Sequence, residues 1–146
     1  MSESVDLSEQ LNGMLGGWNT GMGLRWVKAT DSECIGELTI GPQHTQPYGI
    51  VHGGVHCGII EAACSTGAAV SAGARKQSVV GLENSTSFVT AVRSGKLTVT
   101  AKPITRGRKT QVWEAVVKND EGRICAQGRV RLLCLDAGAD LAGSTV

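Results

Sequence analysis

The spacing of apolar residues predicts one long helix in the middle of the chain, followed by four strands. From Gly53 or Gly54 to about Ser71 apolar residues recur at helical intervals, the pattern of a helix with one buried side. Beyond a turn at 73–77, the predicted strands are 78–91, 96–105, 110–118 and 124–135. Residues 96–102 alternate between polar and apolar positions, as a half-buried strand does.

The residues before the long helix predict a short helix, two strands and a loop. The short helix rests on the spacing of Leu7, Leu11, Met14 and Leu15, with Ser8 as its cap and Gly13, Gly16 and Gly17 at its end. The strands are 24–29 and 33–40, and residues 42–48, with two prolines, form a loop. From Asp136 onward the chain is small and polar, which predicts a frayed tail.

This order of elements predicts a single α+β domain over residues 1–146, with its core between about 20 and 135. An antiparallel sheet that wraps around the one long helix would bury the apolar faces of both. A second side of that helix is a stripe of small residues around a carboxylate: Gly54, Cys57, Gly58, Glu61, Cys64, Ser65 and Ala68. Such a stripe lets a sheet or a ligand approach the helix closely.

Charge and cysteine content narrow the function classes. The net charge of +1 gives no reason to expect nucleic-acid or membrane binding. The sequence has no apolar run of about 18 residues, the length that crosses a bilayer. The five cysteines, an odd number without a CxxC pair, indicate reduced, buried packing residues rather than a disulfide framework. Together these features predict a cytoplasmic protein.

The segment 46–65 carries the candidate chemistry. A helix that opens on Gly53 and Gly54 offers bare N–H groups, and the helix dipole adds partial positive charge there. Glu61 lies eight residues beyond Gly53, where it could serve as a base or a nucleophile. The alternative for Glu61 is an ion pair with a surface arginine. The N–H groups at the helix start together with the Glu61 carboxylate favour acyl chemistry.

The spacing of four residues resembles that of the hotdog-fold acyl-CoA thioesterases. A polar amide, Gln46, is followed after seven residues by Gly53, after eight more by Glu61 and after four more by Ser65. The segments 80–84, 92–95 and 107–114 are also similar to the branch that contains 4-hydroxybenzoyl-CoA and 1,4-dihydroxy-2-naphthoyl-CoA thioesterases. The resemblance implies an antiparallel sheet around one long helix and sites built between two subunits.

The resemblance also implies a role for each of these residues. The Gly53 N–H would hold the oxyanion, Gln46 would orient the acyl carbonyl, and Glu61, from the other subunit, would attack the carbonyl or activate water. Ser65 would hold that water or the carboxylate, and His52 would shape the turn and touch the substrate. The predicted substrate is an aryl or medium-chain acyl-CoA, and no metal or redox cofactor is required.

Further residues are candidates for binding the coenzyme A part of the substrate. The cationic turn Arg106, Gly107, Arg108 and Lys109 suits its phosphates, with Arg93 as a second candidate and Gly54 beside the oxyanion glycine. By resemblance, Gly81 and the stretch Phe88, Val89 and Thr90 should line the pantetheine and acyl channel. Relatives often carry His and Arg in that stretch, so its apolar character here predicts a more apolar acyl end.

Other hypotheses remain at this level. A non-catalytic acyl-CoA or aromatic-ligand binding protein, a thioesterase for acyl carrier proteins and a hydratase could all use the same fold. A hydratase of this fold would carry a His–Asp or His–Glu motif, which this sequence lacks. A metal held by His52, His56, Cys57 and Glu61 is disfavoured because His52 lies in the turn before the helix. The predicted assembly is a homodimer at least, and a homotetramer by resemblance.

Overall fold

The computed structural model describes residues 4–14 and 16–146. Its helices are α1 (Ser8–Asn12), α2 (Gly17–Met22) and α3 (Gly53–Gly73), with a 3-10 turn at Pro42–His44. Its main strands are β1 (Arg25–Ala29), β2 (Cys34–Thr39), β3 (Gln77–Phe88), β4 (Lys96–Arg106), β5 (Thr110–Lys118) and β6 (Ile124–Asp136). The two-residue strands β7 (Asp140–Leu141) and β8 (Ser144–Thr145) form a hairpin.

The six main strands form one antiparallel sheet that curls over α3. Their order is β1-β2-β4-β5-β6-β3, so the sequence-distant strands β3 and β6 pair along their whole length. Strand β5 illustrates the pattern, because Gln111, Trp113, Ala115 and Val117 are buried against the helix while the residues between them are more exposed. The predicted α+β architecture is confirmed, and each main strand begins and ends within three residues of its prediction.

Glycines on α3 let bulky aromatic side chains pack directly on the helix. The Trp113 ring occupies the space that a Cβ on Gly67 would need, and the Trp18 ring does the same at Gly58. Helix α3 has the length and hydropathy of a membrane-crossing helix. Here, however, it is the core helix of the sheet, and Ile59, for example, is fully buried.

Four local predictions differ from the structure. Leu7, not Ser8, occupies the cap position of α1, and the Ser8 N–H donates to Asp6 Oδ1 at 2.9 Å. Leu15 lies outside the described residues. Helix α2 was not expected, because glycines mark the end of a helix more often than its start. The segment after Asp136, predicted as a frayed tail, contains the β7–β8 hairpin. The small-residue stripe also divides, since Cys64 and Ala68 face the core.

Strand β3 lies at an edge of the sheet and contains a bulge. Gly81 pairs with Leu132 and Glu83 pairs with Arg131, so Leu82 is an extra residue in the strand. A bulge changes which side chains point to which face of a sheet. Among the described residues no strand pairs with the outer edge of β3.

Candidate active site

The first turn of α3 leaves one N–H group without an acceptor. The Gly54 N–H donates to the Nδ1 atom of His52 at 2.8 Å, and the Val55 N–H donates to the His52 carbonyl at 2.9 Å. His52 is therefore the N-cap of the helix. The Gly53 N–H has no hydrogen-bond acceptor within residues 4–14 and 16–146. It is free to polarise a ligand at the positive end of the helix dipole.

The loop before α3 presents Gln46 beside this helix start. The loop is closed by a bridge between Thr45 and Val51 and by the His52 N–H, which donates to the His44 carbonyl at 2.8 Å. The Gln46 Oε1 atom accepts a hydrogen bond from the Tyr48 N–H. This fixes the oxygen of the amide toward the loop and leaves the Nε2 group to donate elsewhere.

Arg93 holds this loop in place. Its Nη1 atom donates to the Tyr48 carbonyl at 2.6 Å and lies 3.0 Å from the position of a Cβ on Gly49. Gly49 has a φ of 77°, in the left-handed region that glycine tolerates best. The predicted phosphate-binding role of Arg93 is untested, and the contact in this chain supports the loop that carries Gln46.

The Phe88 ring lies over Gly53. A Cβ on Gly53 would be 2.9 Å from the ring, so only glycine fits beneath it at this distance. The ring is 59% exposed, and its centroid is 6.2 Å from that of His56. His56 is buried, and burial lowers the pKa of its imidazole, which favours the neutral form. The surface around the Gly53 N–H is therefore apolar and aromatic.

Glu61 lies about two turns further along α3, where two side chains donate hydrogen bonds to its carboxylate. The Ser65 hydroxyl donates to its Oε1 atom at 3.2 Å, and the Asn84 Nδ2 group donates to its Oε2 atom at 3.1 Å. A Cβ on Gly81 would collide with Oε1. Glu61 makes no ion pair with any residue that the structure describes, so the surface-arginine alternative has no support.

The cysteines and the possible metal-ligating side chains are dispersed through the described part of the chain. Residues 4–14 and 16–146 contain no group of three or more metal-ligating side chains. All five cysteines are free, and only Cys57 is not buried. Burial raises the pKa of the Cys34 thiol to about 12. Burial and the nearby Glu61 charge raise the pKa of the Cys64 thiol as well. Four of the five thiols are buried as predicted, whereas Cys57 is half-buried.

The cationic turn between β4 and β5 lies near the C-terminal end of α3, far from Gly53 at its start. Arg75, just beyond the C-terminal end of α3, donates to the Gly107 carbonyl at 3.2 Å. Arg106 is paired with Asp31 at 3.4 Å, whereas Arg108 and Lys109 form no ion pair with the described residues. From Gly53 to the end of α3 at Gly73 is 20 residues, about 30 Å along the helix axis.

The predicted site residues thus form three separate groups in one chain. The first group, around the start of α3, contains Gln46, His52, Gly53, Gly54, Phe88 and Arg93. The second contains Glu61, Ser65 and Gly81, and the third is the turn from Arg106 to Lys109. Val89 is exposed and Thr90 half-buried, next to Cys125, whose carbonyl accepts from both N–H groups. Sequence reasoning missed Asn84, although it lies in the segment 80–84 that resembles the thioesterases.

Known proteins share this fold and about a quarter to a third of the aligned residues. The family described as Thioesterase superfamily matches residues 48–126. AziG from S. sahachiroi is 35% identical, with a TM-score of 0.81 over 84% of this chain and 99% of its own. A thioesterase from Haemophilus influenzae is 26% identical, with a TM-score of 0.81 over 88% and 90%. The 1,4-dihydroxy-2-naphthoyl-CoA hydrolase of Escherichia coli K12 is 29% identical over 123 residues, 84% of this chain and 90% of the relative.

An antiparallel sheet wrapped around one long helix is the hotdog fold, and these related proteins have the same architecture. The chain belongs to the thioesterase superfamily, which confirms the family resemblance of the sequence. It is a thioester hydrolase, the class of enzyme for which three of its relatives are named.

Proposed function

We propose that the protein hydrolyses an acyl-CoA thioester to the free acid and coenzyme A, with aryl or medium-chain acyl groups as substrates. The observation that carries the proposal is a pair of complementary half-sites on α3. One is the free Gly53 N–H at the helix start, and the other is the Glu61 carboxylate held by two donors. The 1,4-dihydroxy-2-naphthoyl-CoA named in one relative and the Phe88 ring beside Gly53 both favour an aromatic acyl group.

The two half-sites require two copies of the chain. Eight residues of α-helix separate Gly53 from Glu61, which is about 12 Å along the axis. A reacting carbonyl must lie about 3 Å from both its oxyanion donor and its base or nucleophile. One copy therefore supplies Gly53 and Gln46, and a second supplies Glu61. The unpaired edge of β3, with Leu82 about half exposed and Val89 just beyond the strand more than half exposed, is the surface that suits a second copy.

In this arrangement the Gly53 N–H and the Gln46 Nε2 group donate to the thioester oxygen. If Glu61 is the base, it takes a proton from water while the water oxygen bonds to the acyl carbon. The C–S bond then breaks, and the leaving thiolate takes up the proton that Glu61 accepted, which regenerates the carboxylate. If Glu61 is the nucleophile, its oxygen bonds to the acyl carbon, the thiolate leaves, and water hydrolyses the resulting anhydride. Ser65 and Asn84 hold the carboxylate in either route.

The remaining assignments follow from this arrangement. Arg108 and Lys109 bind phosphates of coenzyme A from the copy that supplies Glu61, because Glu61 is only about 18 Å along the axis from the end of α3. Gly54, Val89 and Thr90 line the channel beside Gly53 and Phe88. The protein acts as a homodimer or a dimer of dimers in the cytoplasm. It needs no metal or redox cofactor for this chemistry.

A panel of thioesters tests the activity. Thiol release would be measured for benzoyl, hydroxybenzoyl, phenylacetyl, acetyl, hexanoyl and palmitoyl-CoA, and for hexanoyl acyl carrier protein. We expect the highest kcat/KM with the aryl or hexanoyl CoA esters. Binding of these esters without thiol release would instead identify a ligand-binding protein. A clear preference for the carrier-protein ester would move the substrate class to acyl carrier proteins.

Mixed dimers test the shared site. Glu61→Gln and Gln46→Ala chains with different tags would be co-expressed and the mixed dimer isolated by two affinity steps. One of its two sites then carries both substitutions and the other carries neither, so we expect roughly half of the wild-type turnover per dimer. If each site lay within one chain, every site would carry one lesion and the mixed dimer would be as slow as the two parents.

A further inference from the structure

We infer that Asn84 is a positioning residue for Glu61, and that the bulge at Leu82 is what directs it there. The inference rests on the proposed function, since it assigns a residue to the reaction that Glu61 performs. It starts from the two hydrogen bonds of the Asn84 amide. Its Nδ2 group donates to Glu61 Oε2 and to the Cys57 carbonyl, each at 3.1 Å. Asn84 therefore ties the carboxylate to the backbone of its own helix, one turn earlier.

The partners of the amide fix its orientation. The Glu61 carboxylate and the Cys57 carbonyl only accept hydrogen bonds, so the Nδ2 group faces them, and the Thr86 hydroxyl on the other side donates to Asn84 Oδ1 at 2.6 Å. Gly128, the cross-strand neighbour of Thr86 on β6, leaves open the space that this hydroxyl uses, because a Cβ there would be 2.5 Å from Thr86 Oγ1. The network therefore runs from Thr86 through Asn84 to Glu61 and Ser65.

The bulge explains why two residues at this spacing reach the same carboxylate. In a regular strand, Gly81 and Asn84 would point to opposite faces, because side chains alternate. Because Leu82 is an extra residue between them, Gly81 and Asn84 both point to the face of the sheet that packs on α3. Gly81 then leaves room for Oε1, and Asn84 binds Oε2. The intervening Glu83, like Ser85, lines a groove on the outer face of the sheet.

The role of Asn84 is to hold the carboxylate in one direction, so its loss should slow the chemical step without weakening substrate binding. A displaced base or nucleophile costs rate even when it is present, and a shift of about 1 Å can cost 10²-fold. Asn84 need not touch the substrate, because its two donor hydrogens are used within its own chain.

Steady-state kinetics of four variants on the best substrate of the panel test this role. We expect Asn84→Ala to lower kcat about tenfold to a hundredfold with KM unchanged. Asn84→Asp has the same size but no N–H and places a second carboxylate against Glu61, so it should be at least as slow. Thr86→Val should lower kcat by about threefold to tenfold, the value of one hydrogen bond. Ser85→Ala, on the opposite face of β3, is the matched control and should match the wild type.

The outcomes separate this inference from the proposed function. Wild-type kcat in Asn84→Asp would mean that Asn84 only fills space, which overturns the inference and leaves the thioesterase intact. A raised KM with unchanged kcat would make Asn84 a substrate contact and would also overturn it. A wild-type protein that hydrolyses no member of the panel would overturn the proposed function, and the inference with it. Thermal unfolding of each variant checks that the fold is retained.

Discussion

Replacing Glu61 with glutamine is expected to lower kcat by about 10²- to 10⁴-fold and to leave KM nearly unchanged. Glutamine has the size of glutamate and keeps an oxygen that can accept from Ser65 or Asn84, so the pocket around residue 61 is preserved. What is lost is the negative charge that removes a proton from water or attacks the acyl carbon. The measurement is thiol release under saturating and subsaturating substrate.

A second carboxylate provides the control. Glu83 lies two residues beyond Gly81, lines the groove on the outer face of the sheet and pairs with Arg131 at 3.3 Å. Glu83→Gln therefore makes the same chemical change on β3, the strand that packs beside Glu61, without touching the site, and wild-type turnover is expected. If Glu61→Gln retained more than about a tenth of the wild-type kcat, Glu61 would be neither base nor nucleophile.

The main elements were predictable because their signals are local. A helix period in the long central segment and alternation in the four following segments each depend only on neighbouring residues. Strand β5 was predicted with the bounds that the structure gives, Thr110–Lys118. The wrapping of the sheet follows because α3 and the sheet each need a partner to bury their apolar faces.

Features that depend on cross-strand register were not predictable from one sequence. The bulge at Leu82 exists only relative to β6, whose residues are about 50 positions away in the chain. Without the bulge, Asn84 would be assigned to the outer face of the sheet, which is why it was missed. Helix α2 was missed for a different reason, since it begins at Gly17 with a φ of 73°, where glycine normally ends a helix.

The grouping of site residues was only partly predictable. The spacing of Gln46, Gly53, Glu61 and Ser65 selects the segment 46–65 as the candidate site. In the structure the helix rise of about 1.5 Å per residue then places Gly53 and Glu61 about 12 Å apart along α3. The distant position of Arg106 is set by the length of β4 and by the contact of Arg75 with Gly107, neither of which has a signature in sequence. The separation of Gly53 from Glu61 along α3 is what supports the two-copy site that we propose.

The largest effect on stability is expected at Trp113. Its side chain is fully buried between β5 and α3, over Gly67, and its Nε1–H donates to Gln111 Oε1 at 2.8 Å. Gln111 is fully buried as well, and its Nε2 group donates to the Ala68 carbonyl at 3.2 Å. Trp113→Ala would leave a cavity and an amide oxygen without its donor. We expect the free energy of unfolding to fall by about 3–5 kcal/mol.

Trp18→Ala is the matched control, because it makes the same chemical change at a side chain that packs on a glycine of the same helix, α3. Trp18 packs on Gly58 from α2 but is 42% exposed and makes no side-chain hydrogen bond with the described residues. Removal of the Trp18 ring opens a surface that water can fill, so the loss in free energy of unfolding should be clearly smaller than for Trp113→Ala. Denaturant unfolding of both variants at one protein concentration makes the comparison, since dimerisation would add a concentration-dependent contribution. If the two variants lost the same free energy of unfolding, the buried Trp113–Gln111 contact would contribute no more to stability than the exposed Trp18 side chain.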